Sequence, residues 1–167
     1  MVIFLGLLVM LVVAMWSYKY AWWKSAVDWK RPRVLMYHMV REHIKGAKFN
    51  KLRVTPAEFE KQVAWMKADG FHFVTMQELQ ANWGKHPEKT VAITFDDGYL
   101  DNLEHAFPIL EKYQAKATIY VVVDRHDRDW STYKKAHHNN GELAREAKLN
   151  DKQVQFLANS SLVEIGS

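Results

Sequence analysis

Short apolar segments alternate with amphipathic segments from residue 33 to the end of the chain. The apolar segments are RVLMYHMV, FHFVTM, TVAITF, KATIYVVVD and SLVEIGS, and each is a near-continuous run of β-prone residues. Strands that are apolar on both faces are typical of parallel sheets that helices cover on both sides. The alternation of strands and helices therefore predicts an α/β domain with parallel strands.

The segments between the strands carry helix start signals. Thr55 precedes Pro56 and has Glu58 three residues later, which is the pattern of an N-cap, a first-turn proline and a capping box. Phe59 to Met66 carries apolar residues at helical spacing, and Gly70 is the expected end of this helix. Three further helices are expected. One begins after Thr75, one contains a kink at Pro108, and one begins after Asn150.

Two other expectations concern the surface and the core. Residues 125–148 are polar and weakly periodic, so we expect them to form a surface insertion. Trp65, Trp83 and Phe107 are more often core residues than platforms for sugars, and we expect them in the core.

The N-terminal segment MVIFLGLLVMLVVAMW carries no charge, and aromatic residues follow it. A spanning helix needs about 20 residues, and residues 1–23 reach that length if Lys19 extends to the headgroups. We therefore expect a transmembrane anchor at 1–23, a linker at 24–32 and a domain at 33–167. The alternative is a cleaved signal peptide, although the segment lacks a basic start and a small-residue cleavage site.

The charge of the chain indicates no nucleic-acid partner. The net charge is +4, but five of the basic residues lie within residues 19–33, beside the N-terminal segment, and no basic stripe follows in the domain. The chain has no cysteine, which excludes disulfides and thiolate metal sites.

Asp96 and Asp97 stand side by side at the end of the apolar run TVAITF, just before Gly98. Two close carboxylates repel each other unless a cation or a proton lies between them. Gly98 permits a sharp bend, so both side chains can reach one cavity, where one carboxylate binds a divalent metal and the other accepts a proton from water. The Asp-Gly pair alone favours an ordinary turn; its place at the end of a buried strand favours a site.

The segment TFDDGY, followed by LDNLEHAFPILEKYQAKATIYVV, resembles the first motif of the polysaccharide deacetylase family, the NodB-like carbohydrate esterases. VLMYHMV and TPAEFEKQVAWMKADGFHFVTMQEL resemble the branch that deacetylates poly-N-acetylglucosamine. The resemblance implies the N-terminal part of a distorted (β/α) barrel and hydrolysis of N-acetyl groups from a hexosamine polysaccharide. It implies Asp96 as general base, Asp97 as metal ligand and a divalent metal, Zn²⁺ in our expectation, as cofactor.

The family's second metal motif, His-x-x-x-His, does not occur in this sequence. We therefore expect an incomplete metal site and interpret the chain as the N-terminal portion of a deacetylase that is inactive by itself. His38 ends the first strand and is a subsidiary candidate for contact with the substrate or with metal-bound water; the alternative is a hydrogen-bonded, partly buried histidine.

Two functions from different classes remain open. The first is a membrane-anchored, metal-dependent deacetylase that acts on an N-acetylglucosamine-containing polysaccharide. The second is a catalytically dead, membrane-tethered protein that binds glycans or serves in assembly. The glycans of this family lie outside the cytoplasm, so we expect the domain there, although the basic residues after the N-terminal segment favour the opposite orientation.

Overall fold

The computed structural model describes residues 2–25, 27–122 and 141–167. The helices are α1 (Val2–Tyr20), α2 (Pro56–Ala68), α3 (Met76–Ala81), α4 (Phe107–Tyr113) and α5 (Asp151–Ala158). The strands are β1 (Arg33–Tyr37), β2 (Met39–Val40), β3 (Arg53–Val54), β4 (His72–Val74), β5 (Thr90–Phe95), β6 (Ala117–Tyr120) and β7 (Val163–Gly166). Short 3₁₀ turns occupy Asn50–Leu52 and Glu142–Arg145, and a π-helical turn occupies Asn102–Ala106.

Strand β5 is the centre of the main sheet, and every pairing in this sheet is parallel. Strand β1 pairs with residues 91–95 along one edge of β5. Because β5 residues 91–95 use that edge for β1, strands β4 and β6 share the other edge, β4 at residues 90–92 and β6 at 93–95. Strand β7 extends the sheet beyond β6, and β2 and β3 form a separate parallel pair. The predicted α/β class with parallel strands is confirmed.

The core lies between one face of this sheet and helices α2, α4 and α5. All six residues of β5 are buried, as the continuous apolar run predicts. Helix α2 contributes Phe59, Val63 and Met66, which recur on its buried face. Phe107 is also buried, which confirms its predicted place in the core.

The same prediction is wrong for two tryptophans. Trp65 is 56% exposed and Trp83 is 74% exposed. Trp65 lies on α2 between the positions that face the sheet, and Trp83 lies just after α3 has ended. Their apolar character alone therefore does not place them in the core.

The predicted capping boxes are present. Thr55 accepts a hydrogen bond from the Glu58 backbone N–H at 3.2 Å, and the box at Thr75 and Glu78 has the same distance. The Asn150 side chain caps α5 in the same way, by accepting from a backbone N–H at 3.0 Å. These helix starts are set by residues three positions apart, so the sequence predicts them well.

The helix irregularity predicted at Pro108 lies just before that residue. The Phe107 N–H donates to the carbonyl oxygen of Asn102, five residues back, as in a π-helical turn. Pro108 has no N–H to donate to the preceding turn. The chain therefore widens over residues 102–106 and continues as the regular helix α4.

Helix α1 forms where the sequence predicts an N-terminal helix, and polar Ser17 and Lys19 lie in its last turn. A membrane span requires about 20 predominantly apolar residues. Across the described residues, the structure contains no helix that combines the length and the apolar character needed to cross a membrane. The predicted transmembrane anchor at 1–23 is therefore not supported.

The expected surface insertion at 125–148 falls partly outside the described residues, and the part that is described is integrated into the fold. Glu146 is 3% exposed. Its carboxylate accepts a hydrogen bond from Arg53 Nη2 at 2.7 Å and pairs with Arg41 as well. Glu142 accepts hydrogen bonds from the backbone N–H groups of Lys48 and Phe49. Residues 141–149 are thus fixed by charged contacts with the β2–β3 region.

We predict that Glu146→Gln strongly destabilises the protein, because it removes the buried carboxylate that pairs with both Arg53 and Arg41 and leaves Arg53 with the longer ion pair to Glu142 at 3.3 Å. Breaking a buried ion pair from one side costs about 3–5 kcal/mol. Thermal or urea unfolding measures the effect, and the exposed residue Glu111 supplies the control variant Glu111→Gln. Equal stability of the two variants would show that the ion pairs of Glu146 contribute nothing.

Candidate active site

The first pair of candidate residues meets at the carboxyl edge of the sheet. Strands β1 and β5 are in register at Tyr37 and Phe95, so His38 and Asp96 follow them side by side. The Asp96 N–H donates to the Tyr37 carbonyl oxygen at 2.8 Å and extends the pairing by one residue. His38 Nε2 lies 4.0 Å from Asp96 Oδ2, and the two side chains are 19% and 34% exposed. The predicted proximity of His38 and Asp96 is confirmed, and both are open to solvent.

Asp97 occupies a conformation that amino acids with a side chain rarely adopt. Its φ is +71°, in the left-handed region, and Gly98 follows with a φ of +56°. The predicted bend at Gly98 is therefore present, and it begins one residue earlier, at Asp97. A Cβ atom on Gly98 would lie 3.0 Å from Val121 Cγ1, so glycine is also required because the backbone approaches β6 closely. Strained backbone of this kind occurs often at functional sites.

Tyr99 adjoins the Asp97 carboxylate and is only 2% exposed. Burial and the neighbouring Asp97 carboxylate raise the pKa of Tyr99 to about 12. The phenol is therefore protonated at neutral pH, and it lies near the Asp97 carboxylate. The two neighbouring aspartates thus have separate partners, His38 for Asp96 and Tyr99 for Asp97.

Tyr120, the last residue of β6, adds a third strand end to this edge. Its pKa is raised by burial, by the charge of Glu164 and by the charge of Asp96. Its ring packs on Gly166, where a Cβ atom would lie only 2.6 Å from Tyr120 Cε1. Any residue larger than glycine at position 166 would therefore collide with the Tyr120 ring.

The π-helical turn after the carboxylates holds the chain near His38. Asn102 is fully buried, and its Nδ2 donates to the His38 carbonyl oxygen at 2.8 Å. Asp101 accepts from the Val40 N–H at 3.0 Å, and His105 Nδ1 lies 2.7 Å from the Val40 carbonyl oxygen. Burial raises the pKa of Asp101. These side chains fix the backbone between β1 and β2.

No role is assigned to Asp101, Asn102 or His105 from the sequence. The available signal is their position. These polar side chains directly follow the carboxylate motif at the end of β5. Burial of a polar side chain is costly unless it forms hydrogen bonds, and backbone groups are the nearest partners. The break of the strand at His38 creates backbone groups of this kind.

The described residues do not complete a metal site. No group of three His, Cys, Asp or Glu side chains in this part of the chain is placed to hold an ion. A catalytic zinc normally has three protein ligands. Within the described ranges, Asp97, the predicted ligand, is therefore a single carboxylate donor.

Comparison with known proteins confirms the resemblance seen in the sequence. Residues 84–146, which include both aspartates, match the polysaccharide deacetylase family. The putative polysaccharide deacetylase YxkH of Bacillus subtilis is 42% identical over 105 residues, which are 61% of this chain and 35% of that protein. The poly-β-1,6-N-acetyl-D-glucosamine N-deacetylase of Staphylococcus epidermidis is 33% identical over 102 residues, 54% of this chain and 35% of that protein.

A solved structure supports the same relationship. The Streptococcus pyogenes deacetylase PplD, in complex with acetate, superposes with a TM-score of 0.62 at 26% identity, over 84% of this chain and 56% of that one. The chain is thus related to the polysaccharide deacetylases and shares their α/β fold. It spans about a third of the length of the curated relatives that it matches.

We predict that Gly98→Ala is more destabilising than Gly70→Ala. Both glycines have positive φ, which costs other residues about 1–2 kcal/mol. Only at Gly98 does the added methyl group also meet a neighbour, Val121, whereas the space at Gly70 is open. Urea unfolding of both variants measures the difference. An equal loss at the two positions would mean that the contact with Val121 relaxes at no cost.

Proposed function

We propose that this domain hydrolyses N-acetyl groups from an N-acetylhexosamine polysaccharide. One observation carries the proposal: the stretch that matches the polysaccharide deacetylase family includes two carboxylates at the carboxyl edge of a parallel sheet, where His38 adjoins Asp96. Active sites of α/β proteins are found at this edge. The name of the Staphylococcus epidermidis relative favours poly-N-acetylglucosamine as the substrate.

Asp96 is suited to act as the general base. Its side chain is one-third exposed, so a water molecule can reach it. The carboxylate accepts a proton from water as the water oxygen bonds to the acetyl carbonyl carbon. The carbon–nitrogen bond then breaks as Asp96 returns this proton to the sugar nitrogen, and the products are acetate and a free amine. His38, at 4.0 Å, orients the carboxylate and stabilises its charge when the imidazole is protonated.

Asp97 would be the carboxylate that holds a divalent metal, Zn²⁺ in our proposal. Such an ion would polarise the acetyl carbonyl and activate water. The described residues do not supply the additional ligands that such an ion requires. Its involvement rests on the deacetylase family and on the chemistry of a carboxylate pair, and it extends to this chain only as a proposal.

We predict that Asp96→Asn lowers acetate release from β-1,6-linked N-acetylglucosamine oligomers by about 10²–10⁴-fold, which is the usual contribution of a general base. Asparagine keeps the size of the side chain but cannot accept the proton. An enzymatic acetate assay on the full chain measures the loss, and the exposed surface variant Glu111→Gln is the control. The same assay after treatment with a chelator and after addition of Zn²⁺ tests whether a metal is required.

The results of this experiment have different meanings. Full activity of Asp96→Asn would remove Asp96 from the mechanism. Activity that survives the chelator would remove the metal. Acetate release by the unmodified chain would contradict the inactivity that the sequence suggests, whereas oligomer binding without acetate release fits either an incomplete metal site or the second function, a glycan-binding protein without catalysis.

We further propose that the domain works outside the cytoplasm, where polysaccharides of this type are exposed. An alkaline phosphatase fused after Ser167 should then be active in cells, because this reporter requires export. Activity of a reporter that works only in the cytoplasm, fused at the same position, would contradict this location.

A further inference from the structure

A short segment after the 3₁₀ turn runs antiparallel to the turn that carries the aspartates. The Leu100 N–H donates to the Ala147 carbonyl oxygen at 2.9 Å, and the Leu149 N–H donates to the Gly98 carbonyl oxygen at 2.9 Å. Between these bonds, Lys148 is bridged to Tyr99. The segment therefore follows the backbone of the site residue by residue.

Lys148 reaches from this segment to the strained residue. Its Nζ donates to the Asp97 carbonyl oxygen at 2.7 Å and lies 3.4 Å from the centroid of the Tyr99 ring. The first contact is a charge-assisted hydrogen bond, and the second is a cation–π interaction. Both hold groups that flank the Asp97 side chain.

The segment is itself held from the opposite side. Glu146, two residues before Lys148, is buried between Arg41 and Arg53, and Leu149 is only 1% exposed. The backbone on either side of Lys148 is thus held by contacts that do not involve the Lys148 side chain. Lys148 therefore approaches Asp97 from a rigid support.

We propose that Lys148 is a positioning residue for Asp97. Its ammonium group holds the Asp97 carbonyl in the orientation that the left-handed backbone requires, and this directs the Asp97 carboxylate toward Tyr99. Lys148 touches the backbone of Asp97 and acts on the reaction only through that residue. The effect of Lys148 on acetate release rests on the proposed function, whereas its effect on the backbone conformation of Asp97 does not depend on any activity.

The conformational part is tested by NMR on the full chain. A residue with positive φ has its amide and α protons unusually close, so Asp97 should give a strong intraresidue cross-peak between them. Lys148→Met should weaken this cross-peak, because Asp97 relaxes toward negative φ, and Lys148→Arg should preserve it. Lys152→Met, at an exposed position of α5, should leave it unchanged. If Lys148→Met does not fold, Lys148→Gln is used in the same way.

The catalytic part is tested with the acetate assay. Lys148→Met should lower kcat by about 10²-fold, as a misplaced site residue does, with little change in KM, and Lys148→Arg should recover most of the loss. An unchanged Asp97 cross-peak in both neutral variants would overturn the proposal whatever the activity. A weakened cross-peak in a chain that releases no acetate would uphold the positioning role and overturn the proposed function instead.

Discussion

The complete burial of β5 is the constraint on which the site depends. The faces of this strand are buried, β1 lies along one edge, and β4 and β6 share the other. A strand with no free edge has little freedom to shift in register, because each shift breaks hydrogen bonds on both sides and exposes apolar residues. The position of Asp96, one residue beyond β5, is therefore set by the core of the domain.

Local patterns predict most of the helices and strands correctly. The capping boxes at Thr55, Thr75 and Asn150 involve residues three positions apart, so their formation depends on no distant contact. The burial of β5 follows from its composition alone. The parallel topology then predicts that His38 and Asp96 share an edge, since the ends of neighbouring parallel strands lie together.

The features that sequence patterns did not predict depend on contacts between distant residues. Glu146 appears in a polar stretch and is nevertheless buried, because Arg53 lies 93 residues earlier in the sequence and opposite it in the fold. The strand break at His38 is stabilised by Asn102, 64 residues later. The left-handed backbone of Asp97 is held by Lys148, 51 residues later. No local periodicity records such pairs.

The adjacent aspartates are accommodated in part by groups of this chain. The sequence suggests that a cation must offset the repulsion between Asp96 and Asp97, yet the structure gives each carboxylate a separate neighbour. The Asp96 carboxylate faces His38, whereas the Asp97 carboxylate lies near the Tyr99 phenol, and the Asp97 backbone carbonyl accepts a hydrogen bond from Lys148. Because a positive φ at Asp97 turns the chain sharply, the two side chains need not share one environment. One carboxylate can then remain free to accept a proton while its neighbour is held in place, which is the division of roles that the proposed hydrolysis uses.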